Sequence, residues 1–398
     1  MTYQEIVTAK TANLTNCDRE QIHIPGLIQP HGLLLVLQEP EFKILQVSNN
    51  TLQFLGVNPQ ELLDQALSEL LDEQQIELIR QCLEKRFETV NPLKLTINTH
   101  QGLKRFDGIV HRSNQVIILE LEPIDILEDF SIFNFHHLVA PRINRMRNAA
   151  DLVSLLPIIV EEVRQLTGFD RVMIYQFDGD GSGSVIAESK QAHLQAFLGL
   201  CYPDSDIPKQ AKKLYTLNSI RLIPDVNYQA VEIIPAHNQL SAQPLDLSFS
   251  VLRSVSPLHI EYLQNMGVTA SMSISIIKNK QLWGLIACHH YQPKYLSYEF
   301  RTVCEFLGHV ISLEIASRAD QEYQEYKIKL NSLQAKFVAV MSSKEELLDA
   351  LVNPNPASNL LDKETDERYY NMPGDYFVIP YSQVINLNVT YLEFTEVE

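Results

Sequence analysis

The sequence predicts an α+β protein built from two sheet-bearing blocks, and three observations lead there. Strand-like runs cluster in two groups flanked by helical stripes, without the strict strand–helix alternation of a parallel sheet. The 398 residues suffice for two to three domains at about 150 residues each. With 45% hydrophobic and 20% charged residues, the chain is neither collagenous nor largely disordered.

In the first block, Leu33–Leu37 and Lys43–Val47 are short apolar runs split by Glu39-Pro40, as adjacent strands would be. Asn58-Pro59-Gln60-Glu61 then offers a capping residue, a proline at the first helical position and an acidic first turn. Leu93, Leu95 and Ile97 alternate with Lys94, Thr96 and Asn98, the pattern of a half-buried strand. Gln101-Gly102 and Ser113-Asn114 are turn dipeptides leading to two more strands, the second at Val116–Leu121. The expectation is a small sheet with helices on one face.

The second block opens with a helical stripe of Leu152, Leu155, Leu156, Ile159, Val160 and Val163, stopped at Gly168. Asp170–Phe177 reads as a strand, and Asp178-Gly-Asp-Gly-Ser-Gly as a turn into Val185–Glu188. Ser271–Ile277 and Gln281–Cys288, joined at Asn279, form a closing hairpin. Residues 189–270 are a long insertion rich in Pro, Tyr, Asp and Ser, and insertions of that length on a sheet scaffold carry function. From about Ser297 the pattern is helical. Tyr326, Leu330, Leu333, Phe337 and Val340 form a short heptad seam, which suits a partner helix or packing within the chain equally. Ile385, Leu387, Val389 and Tyr391 give an isolated strand signal, with Tyr376–Ile379 its one visible partner.

Composition narrows the function. Forty-nine acidic against thirty-two basic residues leave a net charge of −17, and no basic block offsets it, so nucleic-acid binding is not expected. No apolar run approaches the ~20 residues of a membrane span, and the polar N-terminus lacks a signal-peptide core; a cytoplasmic protein is expected. Cys17, Cys82, Cys201, Cys288 and Cys304 are odd in number and far apart, against a disulfide scaffold or zinc knuckle. Cys201, Cys288 and Cys304 read as small buried hydrophobes. His136-His137 and His289-His290 are adjacent pairs that point apart on a strand, so no metal site is expected. No nucleophile-elbow context accompanies Cys17 to suggest a cysteine hydrolase.

Four segments, in order, carry a resemblance. They are Cys17-Asp-Arg-Glu-Gln-Ile-His-Ile-Pro-Gly-Leu-Ile-Gln-Pro-His-Gly32, Tyr202-Pro-Asp-Ser-Asp-Ile-Pro208, Leu252-Arg-Ser-Val-Ser-Pro-Leu-His-Ile-Glu-Tyr262 and Trp283-Gly-Leu-Ile-Ala-Cys-His-His290. Together they resemble the photosensory core of phytochromes, of the biliverdin-binding bacteriophytochrome type, over about residues 14–350. The resemblance implies a PAS domain followed by a GAF domain, tied by a figure-of-eight knot in which the N-terminal segment threads the GAF insertion. The expected order is an attachment segment at 1–20, PAS at 21–125, bilin-binding GAF at 140–315, a connecting helix at 316–352 and a tail at 353–398. That tail is expected to replace most of a PHY domain, since the family's Pro-Arg-x-Ser-Phe and Trp-x-Glu tongue motifs do not occur.

A linear tetrapyrrole presents a broad apolar π-system with pyrrole N–H donors and two propionates, so its site needs apolar walls and a few polar groups at the edges. Arg221 and Arg253 are forks able to grip a carboxylate, which the resemblance assigns to one propionate. It gives the hydroxyls of Tyr215, Ser256, Ser271 and Ser273 to the propionates as well. The turn Asp206-Ile207-Pro208 is implied to offer the Asp206 carbonyl to the pyrrole N–H groups and its carboxylate to the photoproduct. His259 is implied to lie near the pyrrole nitrogens, where an imidazole can shuttle protons, and His289 to donate to the ring D carbonyl. Tyr175, Tyr202 and Tyr262 would wall the ring D cavity. Leu258 fills the slot where other phytochromes carry an attachment cysteine, so the implied attachment is a thioether from Cys17 to biliverdin IXα, with Arg19 favouring the thiolate.

The function expected is a red/far-red photoreceptor with no catalytic residues of its own. The alternatives are a non-photic PAS–GAF sensor of haem or a cyclic nucleotide, or the input module of a light-regulated histidine kinase; no glycine-rich ATP-binding segment occurs in residues 320–398. The expected partners are a second copy, through the GAF helices and the 316–350 helix, and a response regulator or kinase. Without tongue motifs, a red-absorbing dark state and an incomplete photoproduct are expected.

Overall fold

A computed structural model describes residues 16–84, 91–99, 102–124 and 132–342. Residues up to Ala316 form one compact unit, and Ser317 opens a second. In the first unit, the N-terminal part contains β1 (Leu27–Ile28), β2 (Leu33–Gln38), β3 (Lys43–Ser48), α1 (Thr51–Leu55), α2 (Pro59–Leu62), α3 (Glu73–Glu84), β4 (Asn91–Thr99), β5 (Gly102–Ser113) and β6 (Val116–Pro123). Then come α4 (Ile132–Arg147), α5 (Leu152–Thr167), β7 (Arg171–Phe177), β8 (Gly183–Lys190), β9 (Cys201–Tyr202), α6 (Lys209–Leu217), β10 (Ile220–Ile223), β11 (Val231–Ile234), α7 (Pro257–Asn265), β12 (Ala270–Lys278) and β13 (Gln281–His290). The last helix, α8 (Tyr298–Ser342), begins in the first unit and is continuous into the second.

Strand β2 is apolar from Leu33 to Leu37 because both of its faces are covered. Leu33, Leu35 and Leu37 pack with Leu55, Leu62, Leu67, Ile76 and Ile79 from the helical side. Leu34 and Val36 pack on the opposite face with Ile233, Leu245, Leu247 and Leu252, all from the insertion. The sheet therefore has helices on one face, as expected, and the insertion on the other. It also has more strands than the sequence suggests: the order is β1-β11-β3-β2-β6-β5-β4, seven strands, with β11 contributed from the insertion. Asn58 takes the N-cap position of α2 with Pro59 and Glu61 in the first turn, as expected, but its side chain makes no cap bond to the backbone and instead donates to Glu61 at 3.0 Å.

Residues 22–29 lie between two arms of the insertion. On one side, β1 pairs antiparallel with β11. On the other, Leu247 N–H donates to His23 O, Gln29 N–H to Leu252 O and Ser254 N–H to Leu27 O, at 2.7–3.0 Å. Contacts on both sides are what a threaded segment requires.

The second sheet has six strands in the order β10-β12-β13-β7-β8-β9, every pair antiparallel. The hairpin β12–β13 turns through Asn279 and Lys280, both at positive φ, as a tight hairpin demands. Helix α5 begins with an Asp151/Ser154 capping box and ends at Gly168, φ 66°. Its Leu155, Ile159, Val160 and Val163 pack with Val172, Ile174, Met272, Ile274, Ile276, Ile286, Leu307 and Ile311 to form the core on one sheet face. Helix α8 closes onto that face at Gly308, where any Cβ would meet the Ile274 side chain.

Two expectations change or fall outside view. Cys288 and Cys304 are buried, but Cys201 is exposed, because β9 is the edge strand of its sheet. Tyr326, Leu330 and Leu333 are half-buried on α8, while the side chains of Phe337 and Val340, the strand signals at 376–379 and 385–391, and the segment before residue 16 lie outside the described residues.

Candidate functional site

The site is built on the sheet face opposite the helical core, and strand register puts it there. With a side-chain period of two, Met272, Ile274, Ile286 and Cys288 go to the core while their neighbours face the other way. Register aligns those neighbours across four strands: Arg221 beside Ser273, Ser271 beside His289, His289 beside Arg171, and Ala287 beside Met173. Tyr175, two residues beyond Met173, opposes Leu285. Five expected site residues thus share one face: Arg221, Ser271, Ser273, His289 and Tyr175.

One end is cationic. Arg253 is 8% exposed and donates through Nη1 to Ile22 O of the threaded segment at 2.9 Å, while its Nε finds no partner. Burial, and then the charge of Arg221, push the Arg253 guanidinium down to about 9. A buried cation with an unfilled donor and a second cation beside it is the environment that an anion relieves. Arg221 makes contacts that the sequence does not suggest. Its Nη1 donates to Ser250 O and Val251 O at 3.2 and 3.1 Å, and its Nη2 to Arg253 O, so its fork holds the chain carrying Arg253. Tyr215 lies in the same place: burial raises its phenol, and a hydrogen bond from Ser273 opposes that. The Ser256 hydroxyl donates to Glu20 at 2.6 Å.

The other end is aromatic. The rings of Tyr175 and Tyr202 lie 5.9 Å apart, and Phe177 meets Tyr175 edge-on at 5.2 Å. Ile207, Phe197 and Ala287 pack on this cluster. Asp206 is exposed on a 3-10 turn, yet near enough for its charge to be felt at Tyr175, Tyr202 and Tyr262. Burial, then Asp206, lifts Tyr175 to about 12. Pro208 caps α6 and sets its direction away from the turn.

Two histidines lie between the ends. His259, on the first turn of α7, stacks on Tyr262 with ring centroids 6.2 Å apart. Burial and then Arg221 lower His259 to about 4. His289 is lowered to about 3 by burial, then by Arg171 and His259, and its Nδ1 has no partner. Both imidazoles are neutral at pH 7. His290 points to the opposite face, with Nδ1 at 2.8 Å from Asp170. Among the described residues no His, Cys, Asp and Glu cluster could hold a metal.

Cys17 lies in a 3-10 turn, Cys17–Arg19, but its side chain is outside the described residues. The next residue, Glu20, is buried against Ser256, the cap of α7, so this turn runs beside the helix that bears His259. Sequence reasoning missed Glu20, and it missed Arg171, which pairs with Glu188 and lies over the Phe197 ring at 3.7 Å. A charged residue heading the apolar run Val172–Ile174 was the available signal for Arg171.

Comparison with known proteins bears on the two blocks and their fold. The PAS_2 family model, a PAS fold, matches residues 17–124, and the GAF domain model matches residues 151–316. Cyanobacterial phytochrome B of Nostoc sp. is 52% identical over 363 residues, covering 91% of this chain and 48% of the relative. A bacteriophytochrome of Pseudomonas aeruginosa is 42% identical over 308 residues, covering 77% of this chain and 41% of the relative. The chain spans about half the length of the curated relatives it matches. The chromophore-binding domain of a bacteriophytochrome from R. palustris superposes with TM-score 0.71 at 42% identity, over 77% of this chain and 99% of that one. The photosensory core module of Stigmatella aurantiaca phytochrome gives TM-score 0.76 at 45% identity, over 85% of this chain and 68% of that one. With sequence and fold shared across both blocks, the chain belongs to the phytochrome family.

Proposed function

We propose that this chain is a red/far-red photosensory module that binds biliverdin IXα, attached through Cys17, and signals by bilin photoisomerisation. The observation that carries the reading is Arg253: a buried guanidinium with an unpartnered Nε, beside a second, half-buried cation, suits a propionate. When bound, a bilin supplies visible-light absorption and a double bond that rotates on excitation. The residues of this chain do the rest. Arg253 holds one carboxylate, and Arg221 fixes the segment on which Arg253 sits. Tyr215, Ser256, Ser271 and Ser273 give hydroxyls along the same edge. His259 and His289, neutral at pH 7, each keep one N–H donor and one acceptor for the chromophore's carbonyl and pyrrole edges. Asp206, Ile207 and Pro208 form the turn under the aromatic end, and Tyr175, Tyr202 and Tyr262 wall a space in which a ring can turn.

We assign residues 1–20 to attachment, 21–125 to PAS, 140–315 to GAF, and 316–352 and 353–398 to a connecting helix and a tail. A homodimer through the GAF helices is supported by Phe306 and Leu313, seven residues apart on α8 and 42% and 71% exposed. Output runs through a kinase or response-regulator partner. A cytoplasmic location fits the acidic charge; no helix among the described residues is long and apolar enough to cross a membrane. Family membership weighs against a non-photic sensor of haem or a cyclic nucleotide.

The test is the full chain mixed with biliverdin. A red-absorbing band that shifts or bleaches under red light and recovers under far-red is the expected result. Zinc-enhanced fluorescence on a denaturing gel should show covalent pigment that Cys17→Ser removes. No change in absorbance on adding biliverdin would overturn the reading.

A further inference from the structure

Segment 250–254 carries Arg253, and its backbone is held from three directions. The threaded segment takes Leu252 O and Ser254 N–H. Arg221 donates to the carbonyls of Ser250, Val251 and Arg253. The third hold comes from the other sheet. Glu120 on β6 is fully buried, and its carboxyl accepts from Val251 N–H at 3.1 Å, from Leu252 N–H at 2.7 Å and from the Ser250 hydroxyl.

Glu120 is an odd choice for packing. Its strand reads VIILELEP, and its neighbours on the same face, Val116 and Ile118, are core. Among the described residues it forms no ion pair, so it bears the cost of burial without a contacting cation. A leucine there would bury more apolar surface. What a carboxyl adds is two oxygens at fixed spacing, which successive main-chain N–H groups meet at once. The segment is therefore clamped, its N–H groups by an acid from one sheet and its carbonyls by a base from the other.

We propose that Glu120 is a positioning residue for chromophore binding: by fixing residues 250–252 it sets Arg253 for the propionate, and so makes the PAS sheet part of the bilin site. The inference rests on the bilin-binding reading above. It leaves Glu120 out of contact with the ligand and gives it an effect only through Arg253.

The experiment is a four-member cycle on the full chain: wild type, Glu120→Gln, Arg253→Ala and the double variant. Biliverdin is titrated by absorbance, and circular dichroism melts check folding. An amide has one acceptor oxygen, so Glu120→Gln leaves one N–H unmet and should weaken biliverdin binding about tenfold. In the Arg253→Ala background the same change should cost less than about twofold, because the group it acts through is gone. Should Glu120→Gln not fold, Ser250→Ala removes a single bond to the carboxyl and should weaken binding about threefold, again only where Arg253 is present. Equal losses in both backgrounds, or no loss, overturn the proposal. Failure of the wild type to bind biliverdin refutes the functional reading instead, so the two failures are distinct.

Discussion

Arg221 and Arg253 look alike in the sequence and differ in the fold. Residue type alone said that both could grip a carboxylate, and for Arg253 the structure leaves that open, with Nε unpartnered. For Arg221 the two terminal nitrogens are occupied by three carbonyls of residues 250, 251 and 253. Nothing in a sequence tells which backbone will need a donor, so the clamp was illegible there. The consequence is measurable. Removing one partner of a buried ion pair costs about 3–5 kcal/mol, so Arg253→Ala should assemble poorly with biliverdin yet fold normally, since the apoprotein loses a strained cation. Lys329→Ala, on an exposed position of α8, should assemble like the wild type. Matching assembly yields for the two variants, followed by absorbance, would remove Arg253 from the site.

At the scale of elements, the long ones were readable and the short ones were not. The β12–β13 hairpin follows from two apolar alternations around Asn279, and α5 from a stripe that stops at Gly168. By contrast β1 has two residues and β11 four, too few for a period to show. Their partners lie roughly two hundred residues apart, and long-range pairing leaves no local trace. For that reason the seven-stranded sheet and the lining of its second face escaped a reading that found its central strands. Close approach between elements is also silent in periodicity, as Gly284 shows. A Cβ there would lie 2.5 Å from Tyr175 O on the neighbouring strand, where ordinary contact begins near 3.4 Å. Gly284→Ala gains about 0.5–1 kcal/mol from reduced chain entropy, but forcing β13 from β7 costs about 1–3 kcal/mol. The cost should win. Thermal melts should show Gly284→Ala less stable than the wild type, with the pigment band altered because Tyr175 must move. An unchanged melting temperature would mean that the strands separate freely at this point.

Across the whole molecule, burial of titratable groups sets how stability follows pH. His31 and His111 are lowered to about 4, chiefly by burial, and so is His259; His289 is lowered to about 3. Each stays neutral in the folded chain while the unfolded chain takes up a proton near pH 6.5. A depressed folded pKa gives stability that is present above 6.5 and lost as pH falls, at up to about 1.4 kcal/mol per pH unit for each group. Glu120 works the other way: burial raises it to about 7, so between 4.5 and 7 the folded state holds the extra proton and acid favours folding. Glu20 and Asp107 are raised in the same sense, with their hydrogen-bond partners Ser256 and Lys94 opposing. Four imidazoles held at about 3 to 4, well below their ordinary 6.5, outweigh Glu120 together with the raised Glu20 and Asp107. The chromophore-free chain should therefore melt at a lower temperature at pH 5 than at pH 7, with most of the loss below 6.5. His111 is the cleanest contributor, since it lies on β5 of the first sheet and both of its ring nitrogens are unpartnered. His111→Phe should flatten the pH dependence of the melting temperature without touching the pigment site. A wild-type melt that is level or rising from pH 7 to pH 5, by calorimetry, would show these imidazoles to be protonated within the fold.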